Sequence, residues 1–312
     1  MIRKLLILIS VIIALLATAV LVVIVRPQVL PAAVPNPWAK LTINPLRGGA
    51  YWVHGGISNT GLIVGDQGVI IIDAQFFTVA AQHELQQIAK LTPLPVNAII
   101  LTHSDPDHVN SLPAFPRGTP IYAHENTKAD MQAALNDPDI RWISRPSQAM
   151  RDYLPTQPVH DRLEQHIDGV QLVLLHFGPA HTDGDVIVYL PAQRLVYAGD
   201  LLTPEVGPFP GIHAEKRGES AGWVVAVRGM LALDADLFVA GHGGLQTREQ
   251  VQVRLQAAER RRATIQSMVE ARKSLVEIKA ALNDPPVTGI ASRFPTFTET
   301  TFNEFSGSHE SH

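Results

Sequence analysis

Seven residues of two chemical kinds, imidazole and carboxylate, stand out by their spacing. His103, Asp105, Asp107 and His108 crowd into the hexapeptide 103–108, HSDPDH, and His181, Asp200 and His242 follow singly. Imidazole and carboxylate together suit zinc, iron or manganese. In extended backbone, residues at i, i+2 and i+4 point to one side, and Pro106 biases Asp105 toward extended geometry. The spacing therefore predicts that His103, Asp105 and Asp107 converge, with a turn bringing in His108. Taken alone, the hexapeptide also reads as turn and N-cap residues ahead of a helix. The three further residues weigh against that reading.

The elements that must position these groups can be read from hydrophobic pattern. Thr60–Val64 and Val69–Ile72 read as two strands around a Gly-Asp-Gln-Gly turn, and Val96–Leu101, Ile121–Ala123, Val170–His176, Val186–Leu190, Leu195–Ala198 and Leu237–Ala240 as further strands. Phe77–Leu91, Thr127–Leu135 and Trp223–Leu231 have helical spacing, and 247–282 reads as two helices hinged near Lys273-Ser274. Residues 136–168 read as a long loop with short helical turns, and the tail after Asn283 as poorly ordered at its end. Asp73, His103 to His108, His181, Asp200 and His242 each fall just past the C-terminal end of one of these strands. That edge is where loops converge to build sites in α/β sheets.

In that order of pieces, residues 46–246 resemble the metallo-β-lactamase superfamily. The match runs through Asp73, the Thr-His-x-His-x-Asp-His type motif at 102–108, His181 in Gly-Pro-Ala-His-Thr-Asp-Gly-Asp, Asp200 in Ala-Gly-Asp and His242 in Gly-His-Gly. The resemblance implies an α/β fold, the αβ/βα four-layer sandwich, with two divalent metal ions at one sheet edge. It assigns His103, position 105 and His181 to one ion, Asp107, His108 and His242 to the other, and Asp200 to a bridge. It also implies a hydrolase in which a metal-bound hydroxide attacks an ester, thioester or amide of a small molecule, with Asp107 also handling a proton and Asp73 orienting a ligand or the motif loop. Zinc is the expected metal, with iron and manganese as alternatives.

Position 105 departs from the family, which usually has His there. Two divalent cations with Asp105, Asp107 and Asp200 carry a net +1, which a bridging hydroxide brings to zero, where the usual site would stay at +1. A less positive site acidifies its water less and favours iron or manganese relative to zinc. Redox members of the superfamily carry a carboxylate here and use iron. An iron-dependent redox enzyme and a non-catalytic metal-binding protein therefore stand beside the hydrolase as open readings. The cysteine ligand of some β-lactamases is absent, which brings the resemblance closer to thioesterase-type hydrolases.

Composition bounds the rest. The 312 residues carry a formal net charge of −4 with no basic tract, which argues against nucleic-acid binding. There are no cysteines, so disulfides, thiolate nucleophiles and Cys-ligated zinc are excluded. Residues 1–26 contain the uncharged apolar run Leu5–Val25, preceded by Arg3 and Lys4 and ended by Arg26-Pro27. That run is long enough to span a bilayer and longer than the apolar part of a cleaved signal. It predicts a membrane anchor with an exported body, or a secreted protein if it is cleaved. Residues 27–45, with prolines at 27, 31, 35, 37 and 45, read as a linker. Residues 247–312 form a helical extension that either covers the pocket or mediates a homodimer. The Arg run at 260–262 reads as a solvated helix face. Of the other histidines, His54 reads as a surface or packing residue with bordering the pocket as the alternative, and His176 as structural. His124, His160, His166 and His213 lack a ligand spacing, and His309 and His312 belong to the tail. The Pro/Gly-rich stretch 204–222 around His213 offers a loop over the site, with His213 as a candidate substrate contact.

Overall fold

The computed structural model describes residues 41–139, 145–205, 207–286 and 294–307. The apolar run Leu5–Val25 lies outside them; among the described residues no helix is long and apolar enough to cross a membrane.

Two sheets face each other. The first has seven strands in sequential order: β1 (Leu41–Pro45), β2 (Ala50–Gly55), β3 (Thr60–Val64), β4 (Val69–Ile72), β5 (Val96–Ile100), β6 (Ile121–His124) and β7 (Gln157–Val159). β1 to β4 pair antiparallel and β4 to β7 parallel. The second has six: β8 (Arg162–Ile167), β9 (Val170–Leu175), β10 (Ile187–Leu190), β11 (Leu195–Tyr197), β12 (Leu237–Val239) and β13 (Gln246–Thr247). All its pairs are antiparallel except β11 with β12.

Side-chain alternation along the strands splits the apolar residues between two faces. Ile70, Ile72 and Ile100 point between the sheets, onto Leu172, Leu174, Val188 and Tyr197. Ile71 and Ile99 point outward, onto Ala80, Ala81 and Ile88 of α1 (Thr78–Leu91) and Met131 and Leu135 of α3 (Glu125–Asn136). A one-turn helix, α2 (Pro106–Val109), lies between those two. On the far face of the second sheet, Val173, Leu175 and Val196 pack against Trp223 and Val227 of α4 (Ser220–Ala232) and Val251 and Leu255 of α5 (Arg248–Glu270). Helix, sheet, sheet and helix thus stack as the expected four layers, because strands buried on both faces need helices outside.

Several expectations need correction. β1 occupies 41–45, the end of the stretch read as linker, and pairs with β2 as the sheet edge. The 136–168 region holds β7 and β8, not only loop and turns. β8 is Arg-Leu-Glu-Gln-His-Ile, with every other side chain exposed, so it lacks the apolar run that marks a buried strand. The tail contains α7 (Phe297–Ser306), begun by a capping box between Thr296 and Glu299, while the end expected to be poorly ordered lies outside the described residues. The two helices expected at 247–282 are α5 and α6 (Leu275–Ala281), each begun by a capping box. The Arg run is not uniformly solvated. Arg261 pairs with Asp284, and Arg262 with Glu304 of α7, while Arg260 is exposed.

Candidate metal centre

The site forms where loops leave the C-terminal ends of β4, β5, β9, β11 and β12. Asp105 keeps the extended conformation Pro106 demands, φ −67° and ψ 143°, and occupies the N-cap position of α2 without using its carboxylate as a cap. The chain turns helical immediately after. Asp107 and His108 therefore join a different ligand group from His103 and Asp105, although the His103 and His108 rings lie 4.3 Å apart, and 103, 105 and 107 do not converge on one point in a single extended run. Two groups result: His103, Asp105, His181 and Asp200 in one, Asp107, His108 and His242 in the other, each with its ligand-type atoms mutually within 4.8 Å. Asp200 stands between them. Its Oδ1 is 3.2 Å from His108 Nε2, and its Oδ2 is 3.2 Å from His242 Nε2 and 3.9 Å from His181 Nε2.

The imidazoles all present the same nitrogen. Each Nδ1 is engaged by the protein: His103 with Thr102 Oγ1 at 2.9 Å, His108 with Asp73 Oδ2 at 2.8 Å, His181 with the Gly211 carbonyl at 3.0 Å and His242 with the Ile57 carbonyl at 2.9 Å. The three acceptors that take a proton from Nδ1 fix the tautomer that leaves Nε2 free to ligate. His103 Nε2, His108 Nε2 and Asp200 Oδ1 are buried and have no hydrogen-bond partner. Orphaned buried polar atoms are costly, and a cation held among them would satisfy all three. The residues present thus fit a pair of metal ions.

Electrostatics agree. Burial disfavours charge on His181, yet Asp105 and Asp200 hold its pKa at about 9. Burial likewise opposes charge on His242, but Asp200 and Asp107 hold it at about 10. His108, against Asp107, Asp200 and Asp73, is held well above the usual range despite burial. Burial would raise Asp200 and Asp105, but His242 and His108 for the first, and Lys216 for the second, pull both well below the usual carboxylate range.

Other residues brace the loops. Asp73, at φ 63°, accepts from Thr102 N and Thr102 Oγ1 as well as facing His108, so one carboxylate ties β4 to the motif loop. Asp185 accepts from Thr182 N and Oγ1 and shapes the His181 loop. Gly241 packs so closely on Asp200 that a Cβ there would collide with the carboxylate.

Two braces were invisible to sequence reasoning. Asn59, in the β2–β3 turn, donates to the Ala240 and Gly243 carbonyls on either side of His242, and Ser58 donates to the Asp107 carbonyl at 2.6 Å. His54 reaches Asn59 Oδ1 at 2.9 Å. Lys216 Nζ donates to Asp105 Oδ1 at 2.5 Å. Its only sequence signal is membership of the 204–222 stretch, which does border the site: His213 Nδ1 lies 3.7 Å from Asp105 Oδ2 and its ring 4.6 Å from that of His181. The C-terminal extension supports this stretch, with Arg254 donating to the Gly207 carbonyl and Phe294 stacked on His213. His124 and His176 stack on each other, as packing residues do, with His124 capping α3.

The metallo-beta-lactamase superfamily profile matches residues 54–242. The chain belongs to that superfamily. The relatives it matches include the alpha subunit of a 2,4-dinitroanisole O-demethylase from Nocardioides, 31% identical over 65% of this chain. A linear primary-alkylsulfatase from Pseudomonas is 25% identical over 58% of it. The chain spans 58% and 40% of the length of those two relatives. A probable metallo-hydrolase from Bacillus subtilis is 28% identical over 53% of this chain and 71% of its own length. Among solved structures, a metallo-beta-lactamase from Pontibacter korlensis aligns with TM-score 0.58 at 19% identity, covering 70% of this chain and 99% of that one. Such identities carry the fold, and the relatives of this chain include a probable metallo-hydrolase and an alkylsulfatase.

Proposed function

We propose that the chain is a two-metal hydrolase that cleaves an ester-type bond in a small molecule. The observation that supports this is the common orientation of the four imidazoles, each with Nδ1 engaged and Nε2 turned toward the three carboxylates. A divalent metal pair bound there would acidify a water and polarise the bond under attack. The chain's own residues do the rest. Asp200 is placed to bridge. Asp107, the most open of the three carboxylates, is placed to accept a proton. Asp73 holds His108 and the motif loop in one geometry.

Zinc is the metal we assign. One of the two grounds for iron or manganese was the extra negative charge of Asp105, and Lys216 offsets it: two dications, three carboxylates and one ammonium sum to +2, the same as two dications with two carboxylates. The names of the alkylsulfatase and the dinitroanisole demethylase extend the candidate bonds from carboxylic esters, thioesters and amides to sulfate esters and aryl methyl ethers. The apolar run Leu5–Val25, with Arg3 and Lys4 before it, supports a membrane-anchored, exported placement.

The test is to purify the full chain in detergent, measure its metal content by mass spectrometry, and assay p-nitrophenyl acetate, p-nitrophenyl sulfate, a thioester, nitrocefin and 2,4-dinitroanisole. Two equivalents of zinc and turnover of an ester-type substrate that is lost on chelation are expected. Full activity after exhaustive chelation refutes the mechanism, and near-normal rates in both His181→Ala and Asp200→Ala refute the site.

A further inference from the structure

Lys216 is not a surface lysine that happens to lie near a carboxylate. It ends the short 3₁₀ turn Ala214–Lys216, and that turn is fastened to the His181 loop at both ends: His213 N donates to the His181 carbonyl at 2.8 Å, and Asp183 N donates to the Lys216 carbonyl at 3.0 Å. Arg217, next in the chain, donates to Asp183 and to Asp130. The ammonium is thereby aimed at two oxygens only, Asp105 Oδ1 at 2.5 Å and Ser104 Oγ at 3.1 Å. Ser104 in turn donates to Asp130 Oδ2 at 3.1 Å. With Oδ1 taken, Asp105 turns Oδ2 toward the imidazoles, 3.1 Å from His181 Nε2 and 3.5 Å from His103 Nε2.

We propose that Asp105 and Lys216 work as one neutral unit at the first metal position, Lys216 setting both the charge there and which oxygen of Asp105 faces the cation. The inference rests on the two-metal reading above. An isolated carboxylate among two histidines and Asp200 would lower the charge of the centre by one. The half-buried ammonium restores it, and because it grips a single oxygen it also keeps Asp105 from chelating through both. The pair is coupled, so neither residue tolerates change alone. An imidazole at position 105 would leave Lys216 facing a dication with no carboxylate between them, and like charges at that range in a poorly solvated site repel strongly. Lys216 is thus a positioning residue, acting through Asp105.

The experiment is a double-mutant cycle of D105H, K216M and D105H/K216M against the wild-type full chain. Zinc affinity for each ion is read by competition with a chromogenic chelator, and thermal melts of the metal-free proteins check folding. D105H should bind one of its two ions more weakly by about tenfold or more, and adding K216M should recover that loss to within about threefold. Equal zinc affinity for D105H and wild type overturns the inference, as does a double variant no better than D105H. Should D105H not fold, the test passes to position 216. There K216M should move the acid limb of the pH–rate profile up by about one unit, while K216R leaves it in place. Identical profiles for the two overturn the inference. Wild-type protein that binds no zinc refutes the two-metal reading itself, and indifferent swaps in a zinc-binding protein refute only the coupling.

Discussion

Stripping the protein of metal and restoring it across a pH series reads out the electrostatics of the centre directly. An imidazole ligates only when neutral. In the metal-free protein His181 titrates at about 9 and His242 at about 10, because Asp105, Asp107 and Asp200 outweigh the burial that disfavours their charge. At pH 7.5 both therefore carry a proton, and the cation at each position must displace the proton of its own imidazole. The cost is about 2 kcal/mol for His181 and about 3 kcal/mol for His242, at 1.36 kcal/mol per pH unit. Over the two ions together that is about 5 kcal/mol, or between three and four orders of magnitude in the product of their affinities relative to alkaline pH. Zinc affinity measured in chelator buffers should rise by about tenfold or more per pH unit for each ion from 6.5 to 8.5, as each cation displaces at least one imidazole proton. Calorimetry in buffers of differing ionisation enthalpy should count about two or more protons released at pH 7.5. Stability of the metal-free protein should run the other way. A histidine whose folded pKa is raised contributes stability that is complete below its ordinary value near 6.5 and is lost as pH climbs through 9 to 10. Chelated protein should thus be easier to unfold at pH 9.5 than at 6.5. Zinc affinity that is flat between pH 6.5 and 8.5, or release of less than one proton, would refute this account of the centre.

Two further outcomes follow from single side chains. Asp73→Ala removes acceptors for Thr102 N, Thr102 Oγ1 and His108 Nδ1. It should cost about 2–3 kcal/mol of stability in urea unfolding and weaken zinc binding about 10–100-fold; a variant matching wild type in both would show that Asp73 is an ordinary turn residue. Glu84, fully buried beside Thr60 and Gln75, has its pKa pushed by burial to about 7 from 4.5. Because that shift is upward, its favourable contribution is present below pH 4.5 and gone above 7, where ionising the buried acid costs about 3 kcal/mol. Glu84→Gln should therefore stabilise the protein at pH 8 and change it little at pH 5, and equal effects at both pH values would count against the shift.

What could be read in advance followed burial. β4, Val-Ile-Ile-Ile, and β5, Val-Asn-Ala-Ile-Ile, are covered on most of their length by a second sheet and by helices, so their apolar runs announce them. β8 exposes alternate side chains, and its only local marker is the Asp168-Gly169 turn, both residues at positive φ, that joins it to β9. α7 carried a legible cap in Thr296 and Glu299, but its apolar residues make sense only against α4 and α5.

By itself, then, the sequence determined the kinds of ligand at the centre, their order, and their places at strand ends. Those features depend on local pattern, on Pro106, and on strands too apolar to lie anywhere but inside. The family resemblance already divided the ligands between two positions, and the tertiary structure supplied the physical cause. The helical turn at Pro106 assigns Asp107 and His108 to a different ligand group from His103 and Asp105, and Asp200 enters between the groups from the other sheet. Tertiary structure decided the charge at position 105. Lys216 is 111 residues from Asp105 in the chain and reaches it only because its turn is fastened to the His181 loop. No local pattern encodes a contact made by folding two loops of different sheets onto one another.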